Sequence, residues 1–145
     1  MSERLYFEDV EVGQKLPPFV RETHFEEWNR YAAVNDEFVP IHMDDEAGRA
    51  SGNEGGAFGM GNLRLSYLRN MLTAWIGDEA EVREIGLQYR GLNQKHDVLT
   101  CVGEVTEKSV EDGENRVRVD INVVNQEGKA TAPGHAIVVL PSRAG

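Results

Sequence analysis

The sequence is poor in the residue types that bind metals or cross-link chains. It has one cysteine, Cys101, in 145 residues, so an internal disulfide is excluded, and no CxxC pair or Cys/His cluster is present to hold a zinc ion. Three of its four histidines, His24, His96 and His135, have no partner at ligand spacing and are assigned no role. No apolar run reaches membrane-spanning length. The start, Met1-Ser2-Glu3-Arg4-Leu5-Tyr6-Phe7-Glu8, lacks the basic and apolar regions of a signal peptide, so a cytoplasmic protein is expected. Positive charge is also in deficit: 15 Lys and Arg against 25 Asp and Glu give a formal net charge of -10. Phosphate fields repel such a surface, and neither nucleic acid nor a membrane is an expected partner.

What is present describes a folded chain. With 40% hydrophobic and 28% charged residues, the composition is that of a globular protein, and the length predicts a single domain over residues 1–145. No internal repeat or inter-domain linker interrupts it. The stretch to Pro18 reads as an arm lying against the domain, because Phe7, Val10 and Val12 are apolar while Gly13 and Pro17-Pro18 break regular structure. Thr23 and Glu26 fit a capping box. Phe25, Trp28, Tyr31 and Ala32 then recur at helical spacing, which predicts a short helix to about Val34, ended by Asn35-Asp36-Glu37. From Ser51 to Gly61 the chain is dense in glycine, the mark of a flexible loop or of backbone that approaches something closely. Leu63, Tyr67, Met71 and Trp75, widened by Leu65, Leu68, Leu72 and Ile76, predict a largely buried helix that stops at Gly77.

Beyond Gly77 the period changes from 3.6 to 2. Four strands are expected, marked by Ile85, Leu87 and Tyr89; by Leu99, Cys101 and Val105; by Val117, Val119, Ile121 and Val123; and by Ala136, Val138 and Leu140. Turn residues at Glu111-Asp112-Gly113 and Gln126-Glu127-Gly128 predict antiparallel neighbours. The fold class is therefore α+β, an antiparallel sheet wrapped around one long central helix. Such a sheet leaves an edge to cover, and pairing with a second copy or a related chain is the economical way to cover it.

The run Tyr31-Ala32-Ala33-Val34-Asn35-Asp36-Glu37-Phe38-Val39-Pro40-Ile41-His42 sets two carboxylates and a histidine on a loop just past a helix. A carboxylate and an imidazole that can turn toward one volume suit the activation of water. This run resembles the hydratase motif of MaoC-like proteins and (R)-specific enoyl-CoA hydratases: aspartate, any residue, asparagine, proline, an aliphatic residue and histidine, with a small residue further on. Pro40-Ile41-His42 and Ala47 match it, while Glu37 stands at the aspartate position and Val39 at the asparagine position. The family's His-Gly-Met tripeptide, which opens its central helix, is similar to Phe58-Gly59-Met60. The similarity runs from Phe7-Glu8-Asp9-Val10-Glu11-Val12-Gly13, through Gly86-Leu87-Gln88-Tyr89-Arg90 and Asp97-Val98, to Val138-Val139-Leu140-Pro141.

The resemblance implies a hot-dog fold and water addition to an α,β-unsaturated acyl-CoA thioester. Glu37 and His42 would activate the water and supply the proton, Asp36 is the alternative carboxylate, and the Gly59 N–H would face the thioester oxygen at the positive end of the helix dipole. No cofactor or metal is implied, since coenzyme A enters as part of the substrate. Its phosphates would need a local cluster of cations, for which Arg64, Arg69, Arg90 and Lys95 are candidates. The departures at Glu37, Val39 and Phe58 also fit a second expectation, a non-catalytic acyl-CoA-binding subunit that completes a heteromeric hydratase, as in steroid side-chain hydratases. Thioesterase chemistry on the same fold fits less well, because those enzymes lack the Pro-x-His loop. Cys101 is expected in the core.

Overall fold

The computed structural model describes residues 4–144; Met1–Glu3 of the expected arm and Gly145 lie outside them. Helix α1 (Phe25–Asn35) begins one residue later than Thr23 and Glu26 predict, with the His24 N–H donating to the Glu27 carboxylate at 2.9 Å. Thr23 is buried instead. Its hydroxyl donates to the Asp97 carbonyl at 2.8 Å and accepts from the Asn93 side-chain amide at 2.9 Å, so it ties distant segments together. Helix α1 buries Trp28 and Ala32 and ends at Asp36, whose backbone is left-handed at φ 53.

A tight turn over Pro40–His42 and helix α2 (Asp45–Ala50) follow. Helix α3 (Gly61–Ile76) buries Leu63, Tyr67, Leu68, Met71, Leu72 and Ile76 as expected, together with Arg64, and is terminated by Gly77.

The sheet contains β1 (Phe19–Glu22), β2 (Glu81–Leu87), β3 (Val98–Glu111), β4 (Glu114–Val124) and β5 (Gly134–Leu140), in the order β1-β3-β4-β5-β2, and every pairing is antiparallel. The four expected strands are β2 to β5. The fifth, β1, was not expected, because four residues just after Pro17-Pro18 give no readable alternation. Asp112 and Gly113, at φ 53 and 77, form the mirror-type turn whose twist suits the β3–β4 hairpin. β3, β4 and β5 are neighbours in chain order. β2 departs from that rule and pairs with β5, the one strand of this meander that still had a free side.

Alternate residues of the long strands, including Leu99, Cys101, Val105, Val117, Val119, Ile121, Val123, Ala136, Val138 and Leu140, join α3 in one buried cluster. Burial pushes the Cys101 thiol up to about 12, which makes it an inert core residue at neutral pH. The arm lies along β3 beyond the end of β1: Gly13 N–H reaches the Val105 carbonyl at 2.8 Å and Leu16 N–H the Gly103 carbonyl at 2.9 Å. β1 and β2 are the two edge strands, each bonded on one side only among the described residues, β1 to β3 and β2 to β5.

Because Leu72 is fully buried between α3 and the sheet, Leu72→Ala should lower unfolding stability by about 2–5 kcal/mol through lost burial and a residual cavity. Urea denaturation followed by circular dichroism measures this, and an unchanged midpoint would contradict the placement of α3.

Candidate functional site

The site starts where α1 stops. The left-handed turn at Asp36 brings the Glu37 N–H back to the Ala32 carbonyl at 3.0 Å, so Glu37 returns toward the last turn of the helix while Asp36 stays exposed. There the Glu37 carboxylate meets the Tyr31 hydroxyl, and the Tyr31 phenol is held above its ordinary range, first by burial and then by the Glu37 charge. Tyr89 lies in the same neighbourhood. Burial pushes its phenol up, Arg64 opposes that, and the Glu37 charge adds to it. The structure thus distinguishes the two candidate carboxylates: Glu37 is half-buried between phenols and Asp36 is at the surface.

Pro40 opens the tight turn that turns His42 inward. His42 is 9% exposed, and its Nδ1 lies 2.7 Å from the Phe58 carbonyl oxygen. A carbonyl only accepts, so Nδ1 carries the hydrogen, and in the neutral ring Nε2 keeps its lone pair. The Phe58 ring stands edge-on to the imidazole at 5.3 Å, and the Phe58 N–H returns to the Ile41 carbonyl at 3.1 Å. Phe58 therefore orients His42, through its carbonyl and its ring edge. The glycine-rich segment is tied down: the Ala57 N–H donates to Asp45 at 3.0 Å and the Asn53 amide bonds both the Gly56 carbonyl at 2.7 Å and Gln94 at 2.9 Å. Of the two expectations for that segment, close backbone approach is the one observed, and what the backbone approaches is the protein itself.

Gly59 follows. Its N–H donates to the Asn93 carbonyl at 2.7 Å. A Cβ there would clash with Asn93 Oδ1 and lie 2.8 Å from Trp28 Nε1, so only glycine fits. Its amide is thus engaged within the chain, whereas the Gly61 and Asn62 amides, at the open start of α3, have no partner among the described residues. The Tyr89 ring packs over Gly61 so closely that a Cβ would lie 2.8 Å from it, and the Tyr89 hydroxyl donates to Asn62 Oδ1 at 3.3 Å. Beside Tyr31, a groove of about 450 Å³ runs between α1, β1 and α3, with Val34, Leu63 and Tyr67 on its walls and Arg21 and Arg30 on its rim.

The four cations expected to meet phosphates separate. Arg64 is 2% exposed and donates to the Gly91 carbonyl at 2.7 Å, so it is no surface anchor. Lys95 is paired with Asp45 at 2.6 Å. Arg69 and Arg90 remain exposed. Contacts between residues distant in sequence were not readable beforehand. His24 and His96 face each other with their Nδ1 atoms 2.7 Å apart, and His135 meets Glu84 at 3.0 Å. Tyr31 and Tyr89, read as members of apolar patterns, border the site; the phenol six residues before Glu37 was the available signal.

The curled sheet around α3 is a hot-dog fold. Solved structures share it over nearly the whole chain. The (R)-hydratase PhaJ1 from Pseudomonas aeruginosa is 23% identical at a TM-score of 0.84, covering 97% of this chain and 88% of its own. A MaoC-like dehydratase from Rhodospirillum rubrum is 20% identical at 0.80, covering 96% and 98%. The ChsH1-ChsH2 complex from Mycobacterium tuberculosis is 23% identical at 0.78, covering 90% and 98%. At these identities it is the fold that is shared. Neither a family model nor a curated protein sequence matches the chain. Among the described residues no helix is long and apolar enough to cross a membrane.

Lys95 and the Ala57 N–H hold the Asp45 carboxyl below its ordinary value of 3.8. A lowered folded-state pKa stabilises the protein above the unfolded value, and the contribution fades as pH falls through the lowered one. Asp45→Asn should therefore reduce stability at neutral pH and flatten the loss of stability in acid below about 3.8. Thermal unfolding from pH 7 to 2.5 tests this; an acid limb identical to that of the parent protein would refute it.

Proposed function

We propose that the chain is a hydratase or dehydratase that adds water to the double bond of an α,β-unsaturated acyl-CoA thioester, with Glu37 and His42 as its proton-handling pair. The observation that carries this reading is the pinned imidazole: Nδ1 is taken by the carbonyl of Phe58, on the segment that leads directly into α3, so Nε2 is available as a proton acceptor. In the forward direction, the pair takes one proton from water as its oxygen bonds the β-carbon. The π electrons then move onto the thioester oxygen, and the resulting enolate collects a proton from the pair at the α-carbon. The Gly61 and Asn62 amides, at the positive end of the α3 dipole, are suited to hold the enolate oxygen. Gly59 supports them as the glycine that lets the helix start there, because its own N–H belongs to Asn93.

A second reading, an acyl-CoA-binding subunit that works beside a catalytic chain, has an observation in its favour. Around the site Val34, Phe38, Val39, Tyr89 and Leu92 are 80%, 57%, 38%, 44% and 45% exposed, more apolar surface than a finished site needs. A second hot-dog chain paired along the open edge of β2 would cover part of it, and the ChsH1-ChsH2 complex is a precedent for a mixed pair. Either way, two chains make the working unit. Sedimentation of the purified protein at micromolar concentration should give the mass of two chains, and a monomer alone would count against it.

Kinetics with crotonyl-CoA and longer enoyl-CoA substrates separate the two readings. Glu37→Gln should lower turnover by about 10²–10⁴, the range of an acid–base group, and Asp36→Asn should matter little. Reversed effects would transfer the role to Asp36. If the parent protein binds the thioesters but hydrates none, and activity appears on adding a second hot-dog chain, the subunit reading holds instead.

A further inference from the structure

Arg64 is a cation that the fold buries without a carboxylate in contact among the described residues; buried Asp97 acts on it only from a distance. Arg64 is 2% exposed, and its Nη1 donates to two backbone carbonyls, Gly91 at 2.7 Å and, weakly, Thr131 at 3.4 Å. Its Nε is buried with no partner among the described residues. The remaining contact is with the Tyr89 ring, whose centroid lies 4.9 Å from Cζ. Loss of solvent lowers its pKa, as befits a charge with little to replace its water. The position is itself unfavourable for a cation, because Arg64 stands in the first turns of α3, at the positive end of that helix. A buried charge normally has a partner or neutralises. Tying down two carbonyls does not require one, since a neutral amide donor serves that purpose.

The other contacts of the Tyr89 ring explain the placement. The ring is packed against Gly61, and its hydroxyl donates to Asn62 Oδ1, so the phenol ring links the guanidinium to the two residues that open α3. We propose that Arg64 is a positioning residue of this site: acting through Tyr89, it places positive charge that no contacting carboxylate neutralises behind the Gly61 and Asn62 amides and favours negative charge on an oxygen held there, the thioester enolate. This rests on the hydratase reading above. The anion that comes closest to Arg64 through Tyr89 is then the transient one on the substrate, added to the distant charge of Asp97.

Acetoacetyl-CoA is the probe, because it loses its α-proton to form an enolate with its own near-ultraviolet band and needs no turnover. Titrated at fixed pH onto the parent protein, it should show an enolate fraction above that of free probe. Arg64→Met, which keeps volume and loses charge, should reduce the bound enolate-to-keto ratio by about tenfold or more, the scale of one unit charge acting across a partly desolvated site. Arg64→Lys should retain most of the ratio, although it loses the planar fork that grips Gly91. Since a lysine variant keeps the charge, it decides the question even if the methionine variant does not fold. An undiminished band in Arg64→Met, or loss of the band in a folded Arg64→Lys, overturns the proposal in favour of a purely structural tie and leaves the hydratase reading standing. No enolate enrichment on the parent protein overturns both.

Discussion

The 2.7 Å hydrogen bond from the Gly59 amide to the Asn93 carbonyl is the contact on which the arrangement depends. One residue before it, the Phe58 carbonyl fixes His42; one residue after it, buried Met60 leads into α3. Asn93 continues the tie on its other side, where its amide donates to Thr23 and to the Gln94 carbonyl, and Thr23 donates in turn to Asp97. Trp28 of α1 closes the space above Gly59. The helix before the motif, the motif, the entry to α3 and the segment before β3 thus converge on a position that leaves no room for a side chain. Asn93 Oδ1 and Trp28 Nε1 are buried there without a hydrogen-bond partner, and the bonds that the other groups do make fix the geometry, because any alternative leaves more donors and acceptors dry.

On the hydratase reading, that convergence explains how an acidic protein presents a site suited to negative charge. The formal charge of -10 belongs to the molecule as a whole. Locally, the open amides of α3 and the buried Arg64 add positive charge at the helix start, while the Glu37 carboxylate lies at the end of α1 near the Tyr31 hydroxyl. A proton acceptor on one side and a place for an oxyanion on the other is the division of labour that water addition to a conjugated thioester requires. The hot-dog fold supplies the frame, since a helix cradled by a sheet exposes its N-terminus at the rim; the particular side chains at that rim decide the chemistry.

Periodicity was enough to find the frame. The stripe from Leu63 to Ile76 and the alternation of Val117, Val119, Ile121 and Val123 are patterns that only a buried helix and a half-buried strand satisfy. β1 escaped because four residues carry too little alternation, and the pairing of β2 with β5 escaped because sequence order does not encode which edge a strand will reach. At the site, the Pro40-Ile41-His42 turn and the glycine before α3 were legible as a motif. The Gly59 bond to Asn93, the Tyr31 contact with Glu37 and the burial of Arg64 were not. Each depends on segments that meet only in three dimensions, and an arginine in an amphipathic pattern reads as surface until its partners are known.

The central claim is that a thioester binds with its carbonyl oxygen at the start of α3. Titration of isotope-labelled protein with butyryl-CoA, a saturated analogue that cannot react, tests this by backbone amide chemical shifts. The account predicts that Gly61 and Asn62 shift most, with Tyr89 and the His42 ring following, while the outer face of β3 and β4 around Glu104 and Asp120 stays unchanged. Saturable shifts confined to that outer face, with Gly61 and Asn62 unmoved, would contradict it.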